Sequence, residues 1–169
     1  MARIVVIGSS NTDMTIRLPR LPEAGETVLG GAFSTSPGGK GANQAVAARR
    51  AGAEVVLAAA VGDDALGRQT LDLFRREGLD ATHVRVVEGA ASGVALIFVG
   101  EDGENMIGVA SGANGRIEPD DVDRLPADLF RPGDVLLTGL EIPLPTVAAA
   151  LKRGREAGMI VILNPAPAP

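Results

Sequence analysis

Val55-Val56-Leu57-Ala58-Ala59-Ala60-Val61 runs without a polar side chain and stops at Gly62-Asp63-Asp64. A continuous apolar run of this length suits a strand buried on both faces, as in a parallel sheet. The period then changes. Leu66, Thr70, Leu73 and Phe74 fall on one face at helical spacing, with Asp63 or Asp64 placed as N-cap and Gly78 just past the end. The same strand-then-helix unit recurs on either side. Upstream lies the apolar run 4–7; downstream come 135–137, a stripe of Leu144, Val147, Ala148 and Leu151 closed by Gly158, and the run 160–163. This alternation predicts an α/β fold, a mostly parallel sheet flanked by helices.

Two stretches break the rhythm. Met14, Ile16 and Leu18 alternate with Thr15 and Arg17, as in a half-exposed strand. Residues 94–99 and 106–109 flank the turn-like Glu101-Asp102-Gly103-Glu104, which predicts an antiparallel hairpin. A second, smaller sheet is therefore expected from insertions into the α/β core, and insertions of this kind serve as lids.

Composition narrows the chemistry. The chain of 169 residues has no cysteine and a single histidine, His83, which leaves no basis for thiolate chemistry, a histidine metal cluster or a Ser-His-Asp triad. Net charge is −5 and aromatics make up 2%, so the basic stripe and stacking platforms of a nucleic-acid binder are missing. No apolar run reaches the length of a membrane span, and no signal peptide precedes the first strand-like run, so a cytoplasmic protein is expected.

Three clusters carry polar or glycine-rich chemistry. The densest is 37–48, Pro-Gly-Gly-Lys-Gly-Ala-Asn-Gln-Ala-Val-Ala-Ala, in which three glycines surround Lys40, one of only two lysines, ahead of an Ala-rich helix. A Walker A loop would need Gly at 34 and Ser or Thr at 41, where Ser34 and Gly41 stand. The segment reads either as a ligand loop or as a tight turn into a packed helix. Gly8-Ser9-Ser10-Asn11-Thr12-Asp13 follows the first buried run and reads either as a hydroxyl-binding loop or as an Asx-turn. In Gly139-Leu140-Glu141-Ile142-Pro143, Glu141 reads as a ligand carboxylate or as a cap for the next helix. Placed at the ends of three parallel strands, the three clusters would converge on one edge of the sheet, where ligands of open α/β sheets bind.

With these motifs in place, the chain resembles the ribokinase family of sugar kinases along essentially its whole length. The run 38–48 with Lys40 and Gln44, Gly93-Val94-Ala95-Leu96-Ile97, and 105–114 with its Ser-Gly-Ala-Asn carry the resemblance. It implies a sugar, D-ribose or a close relative, held between the core and a small β-lid that also serves homodimerisation. Hydroxyl-binding residues would be Asn11, Asp13, Gly39, Lys40, Asn43 and Glu141; Gly38 would shape the loop, and Ala95 and Ile107 would supply apolar lid contacts.

The family moves the γ-phosphoryl of ATP, with Mg2+ and an activating monovalent cation such as K+, to the ribose 5-hydroxyl. Its catalytic aspartate lies in Gly-Ala-Gly-Asp, and neither that tetrapeptide nor the family's Asn-x-x-Glu occurs here. The resemblance thus implies that residues 1–169 form the N-terminal part of one domain, truncated before its catalytic and nucleotide-binding half. Lid segments at about 12–36 and 92–112 would be inserted in its core, and the chain alone would be inactive. Two other readings stand beside it: a non-catalytic sugar-binding or assembly module, and a fragment of a related fructo- or nucleoside kinase. Lys40 with Gln44 argues against the last.

Overall fold

The computed structural model describes residues 2–167; Met1, Ala168 and Pro169 lie outside the described residues. In chain order the strands are β1 Arg3–Ile7, β2 Asn11–Arg17, β3 Ala32–Gly38, β4 Glu54–Gly62, β5 Val84–Val87, β6 Gly93–Val99, β7 Asn105–Ala110, β8 Val135–Gly139 and β9 Ile160–Asn164. The helices are α1 Lys40–Arg50, α2 Ala65–Arg76, α3 Pro119–Asp123 and α4 Leu144–Glu156. Among the described residues no helix is long and apolar enough to cross a membrane.

The apolar runs become one parallel sheet in the order β5-β4-β1-β8-β9. Alternate side chains of the two innermost runs feed two cores. Val6, Leu57, Ala59 and Val61 pack with Ala42, Ala45 and Phe74 on the side of α1 and α2. Val5, Ile7, Val56, Ala58 and Ala60 pack with Leu136, Val147 and Ala150 on the side of α4. Continuous hydrophobicity is what such two-sided burial requires. Of the two candidate caps of α2, Asp64 takes the role, its Oδ1 accepting from the Gly67 amide at 2.7 Å.

Two expectations are corrected. The buried face of α4 is Thr146, Val147, Ala150 and Gly154, while Leu144 and Ala148 of the expected stripe are exposed. The cause is close approach: a Cβ on Gly154 would come 2.7 Å from Leu136 Cδ2, so the sheet admits only small residues there. The run 160–163 forms an edge strand. Ile160, 58% exposed, and Ile162, 47% exposed, lie on the side of α1, which packs over β1 and β4 and stops short of β9. Leu163, 40% exposed, lies on the opposite side with Thr138.

The second sheet has the order β3-β2-β6-β7. The expected hairpin is β6 antiparallel to β7, and β2 lies parallel to β6 and antiparallel to β3. The chain passes between the sheets in four places: Gly8–Ser10, Gly38–Gly39, Ser92–Gly93 and Ser111–Asn114.

Candidate functional site

β1 and β8 are neighbours and parallel, so Gly8–Asn11 and Gly139–Glu141 leave the sheet at the same edge. The start of α1 is pressed against them backbone to backbone. A Cβ on Gly41 would lie 2.6 Å from the Ser9 amide nitrogen, and one on Gly8 would lie 2.9 Å from Gly41 Cα. Glycine at both positions lets Ala42 N donate to Ser9 O at 2.8 Å. That contact delivers Lys40 to Glu141.

Glu141 collects three donors. Its Oε2 accepts from Ser9 Oγ at 2.6 Å and from the Lys40 amide at 2.8 Å, and its Oε1 accepts from Lys40 Nζ at 2.8 Å. Burial pushes the Glu141 carboxyl up, but the hydrogen bonds from Lys40 and Ser9 outweigh it and hold the group below its ordinary value. The helix-cap reading of Glu141 does not hold: the N-cap of α4 is Pro143, and Glu141 points across to α1.

Asp13 sits inside β2, paired with Ser36 on one side and Ala95 on the other, so it forms no turn. Gly38 makes room for it, since a Cβ there would occupy the space of the Asp13 carboxylate. Burial raises the Asp13 pKa, the negative charge of Glu141 raises it further, and Lys40 draws it partly back. Gly39 has φ of 86°, and a Cβ on it would stand 2.7 Å from the Asn11 amide nitrogen. Asn11 is buried at the start of β2, with its side-chain oxygen 2.7 Å from Asn114 Nδ2.

A cavity of about 430 Å³ opens here, lined by Asn11, Val109, Asn114, Leu140, Glu141 and Leu144 among others. Ala95 and Ile107 share the sheet face of Asp13 by register, Ala95 buried and Ile107 53% exposed. Asn43 stands apart from this cavity: it is exposed on α1 and lines a neighbouring groove with Arg50 and Glu77. Sequence reasoning missed Ser9, Asn114 and Val109. Asn114 was legible only as part of Ser-Gly-Ala-Asn, because its partners lie about a hundred residues away, at |i−j| of 103 and 104.

Two carboxylates and one lysine leave the site net negative, which disfavours an anion and suits a neutral ligand with several hydroxyls. Among the described residues no group of three or more His, Cys, Asp or Glu is gathered to hold a metal ion. With Lys40 Nζ engaged by Glu141 and the pattern unlike a Walker A loop, these residues do not fit a metal–nucleotide group.

Over residues 1–169 the sequence matches the pfkB family of carbohydrate kinases. It is 41% identical over 165 residues to the ribokinase of Haemophilus influenzae, covering 98% of this chain and 54% of that protein. It is 40% identical over 165 residues to a deoxyribokinase of Salmonella typhi, with 98% and 54% covered. The structure superposes on the Arabidopsis thaliana ribokinase, solved with ribose and ATP, with a TM-score of 0.83 and 31% identity, covering 98% of this chain and 54% of that one. The chain spans about half the length of the curated relatives it matches.

Proposed function

The chain belongs to the pfkB family of carbohydrate kinases, and on that premise we propose that its 169 residues form the sugar-binding portion of a ribokinase, which transfers the ATP γ-phosphoryl to the 5-hydroxyl of D-ribose. The observation that supports this most is the meeting of Asn11, Asp13 and the Lys40–Glu141 pair at one sheet edge, beside an open cavity. In this reading Asp13 accepts from two sugar hydroxyls, Asn11 and Lys40 donate, and Glu141 orients Lys40 while accepting from a further hydroxyl. Gly38 and Gly39 keep the loop free of side chains, and Ala95 and Ile107 cover the sugar from the second sheet. Asn43, which lines the neighbouring groove, is given no sugar hydroxyl in this reading. That sheet, including the segments 12–36 and 92–112, acts as a lid and as a homodimer surface.

ATP, Mg2+ and K+ are assigned no residue of this chain, which holds no Gly-Ala-Gly-Asp. Phosphoryl transfer depends on positioning and charge stabilisation at the phosphate, and the residues here address only the sugar. Calorimetric titration with D-ribose, 2-deoxyribose and ribose 5-phosphate tests the reading. Heat is expected from the neutral sugars and not from the phosphate ester; binding of ribose 5-phosphate in preference to ribose would sink it. In a coupled assay the 169-residue chain alone is expected to release no ribose-dependent ADP, and such release would overturn that part.

A further inference from the structure

Asn114 is almost wholly buried, 1% exposed, in the 3-10 turn Gly112–Arg116 that follows β7. Its side chain meets three groups of the β1–β2 connection, and hydrogen-bond chemistry fixes the identity of every atom. The Ser10 backbone N–H can only donate, so the atom it reaches at 2.9 Å is Asn114 Oδ1. The other terminal atom of Asn114 is then its NH2, which donates to Ser10 O at 3.0 Å and to the Asn11 side chain at 2.7 Å. An amide NH2 has two protons and no lone pair to offer, so the Asn11 atom facing it is Oδ1. The Asn11 NH2 is thereby turned away from Asn114, and Asn11 lines the cavity together with Glu141. Among the described residues that NH2 has no acceptor, and it is not one of the fully buried unpaired atoms.

Gly93 permits this arrangement. It pairs with Asn11 across β2 and β6, and a Cβ on it would enter the space of both amide groups. A side chain there would separate them.

We propose that Asn114 is a positioning residue for sugar recognition: it holds the Asn11 amide in one of its two orientations, so that position 11 offers hydrogen-bond donors and no acceptor to the ligand. The inference deepens the sugar-binding reading and rests on it for the identity of the ligand. Its consequence is a polarised pair on one strand face. Asn11 donates and Asp13, two residues on, accepts, so adjacent hydroxyls are read in opposite senses.

The test uses the full chain. In free protein, side-chain amide exchange followed by NMR should show both Asn114 protons protected and the Asn11 NH2 exchanging fast, slowing when D-ribose is added to saturation. Asn114→Asp keeps the size but replaces the donor with an acceptor facing Ser10 O and Asn11 Oδ1. It should weaken ribose binding by about tenfold, the scale of one hydrogen bond. In an Asn11→Ala background the same substitution should cause no further loss, because its route to the sugar is gone. The substitution lowers the melting temperature in either case, since it buries a carboxylate and removes the donor to Ser10 O. A purely structural staple would also lose the same affinity again in the Asn11→Ala background, and that result would overturn the proposal. If wild type takes up no ribose, the sugar reading fails separately. Exchange in the free protein then decides the orientation: a protected Asn114 beside a fast Asn11 supports it, and two equally protected groups overturn it.

Discussion

Two carboxyls share the neighbourhood of Lys40, and their surroundings drive them in opposite directions. Glu141 lies below its ordinary value of 4.5 in the folded chain, so its ionised form stabilises the fold above that value and the contribution is lost as pH falls through the folded pKa. Asp13 lies above its ordinary value of 3.8, so ionising it opposes folding, and its cost appears as pH rises from that value. Asp13→Asn should therefore raise the melting temperature at pH 7, with the gain vanishing in acid once wild-type Asp13 is protonated. The same change should weaken ribose binding about tenfold or more, since a hydrogen bond to a charged group is worth roughly 1.5–3 kcal/mol. Equal affinities in calorimetry would remove Asp13 from recognition. Glu141→Gln should behave oppositely in stability. Its NH2 must face either Lys40 Nζ or the Ser9 hydroxyl and Lys40 amide, leaving a partly buried donor unpaired at a cost of about 1–3 kcal/mol at neutral pH. Denaturant titration at pH 7 and again in acid checks this: the gap between wild type and variant should narrow as Glu141 takes up its proton.

At the scale of elements, the inner strands β1, β4 and β8 were legible because an unbroken apolar run answers to one environment, burial on both faces. β5, a four-residue strand broken by Arg85, was not read, and β9 was read without its exposed edge. The cap of α2 and the β6–β7 hairpin were legible because their signals are local. The face of α4 was not, because its choice depends on a distance that the pattern does not encode: how near the helix comes to β8. Leu144, Val147, Ala148 and Leu151 make the better apolar stripe, yet Ala150 and Gly154 lie on the sheet. The convergence of Gly8–Asp13 and Gly139–Pro143 was readable from their places after buried runs. That of 37–48 was not, because it follows β3, an exposed strand antiparallel to β2 in the second sheet. The Ser9–Glu141 and Asn114–Asn11 bonds were not, since each joins residues more than a hundred apart, with |i−j| of 132 and 103. Gly154 gives the close approach of α4 a direct test. Alanine in a helix interior is favoured over glycine by about 1 kcal/mol, but here its Cβ would press on Leu136 at 2.7 Å and Val161 at 3.1 Å. Overpacking of a filled core costs roughly 1–3 kcal/mol. Gly154→Ala should thus leave the chain less stable in urea, and a variant more stable than wild type would show that the helix can lift without loss.

For the whole molecule, the balance of covered and uncovered apolar surface governs how copies of this chain meet. One surface lies along β9. Its outer edge has no partner among the described residues, and Ile160 and Ile162 stand on the side of the sheet that α1 leaves bare. An edge of this kind offers a row of unpaired backbone groups beside apolar side chains, a template for further pairing. The other surface is a face of the second sheet, where Phe33 is 64% exposed and Leu96 and Met106 each 51%. The strand registers put these three residues on one side, opposite Asp13. Two self-complementary surfaces on one chain do not close at a dimer, because each pair still carries a free copy of the other surface. Light scattering on the 169-residue chain at micromolar concentration should therefore give a mass that climbs with concentration past two copies. Ile162→Lys places a charge on the β9 face and should halt growth at the dimer. Leu96→Lys should do the same through the second sheet, and the two together should leave a monomer. A wild-type mass fixed at two copies would show that only one surface associates, and whichever single variant abolished that dimer would identify it. A stable wild-type monomer would count against both.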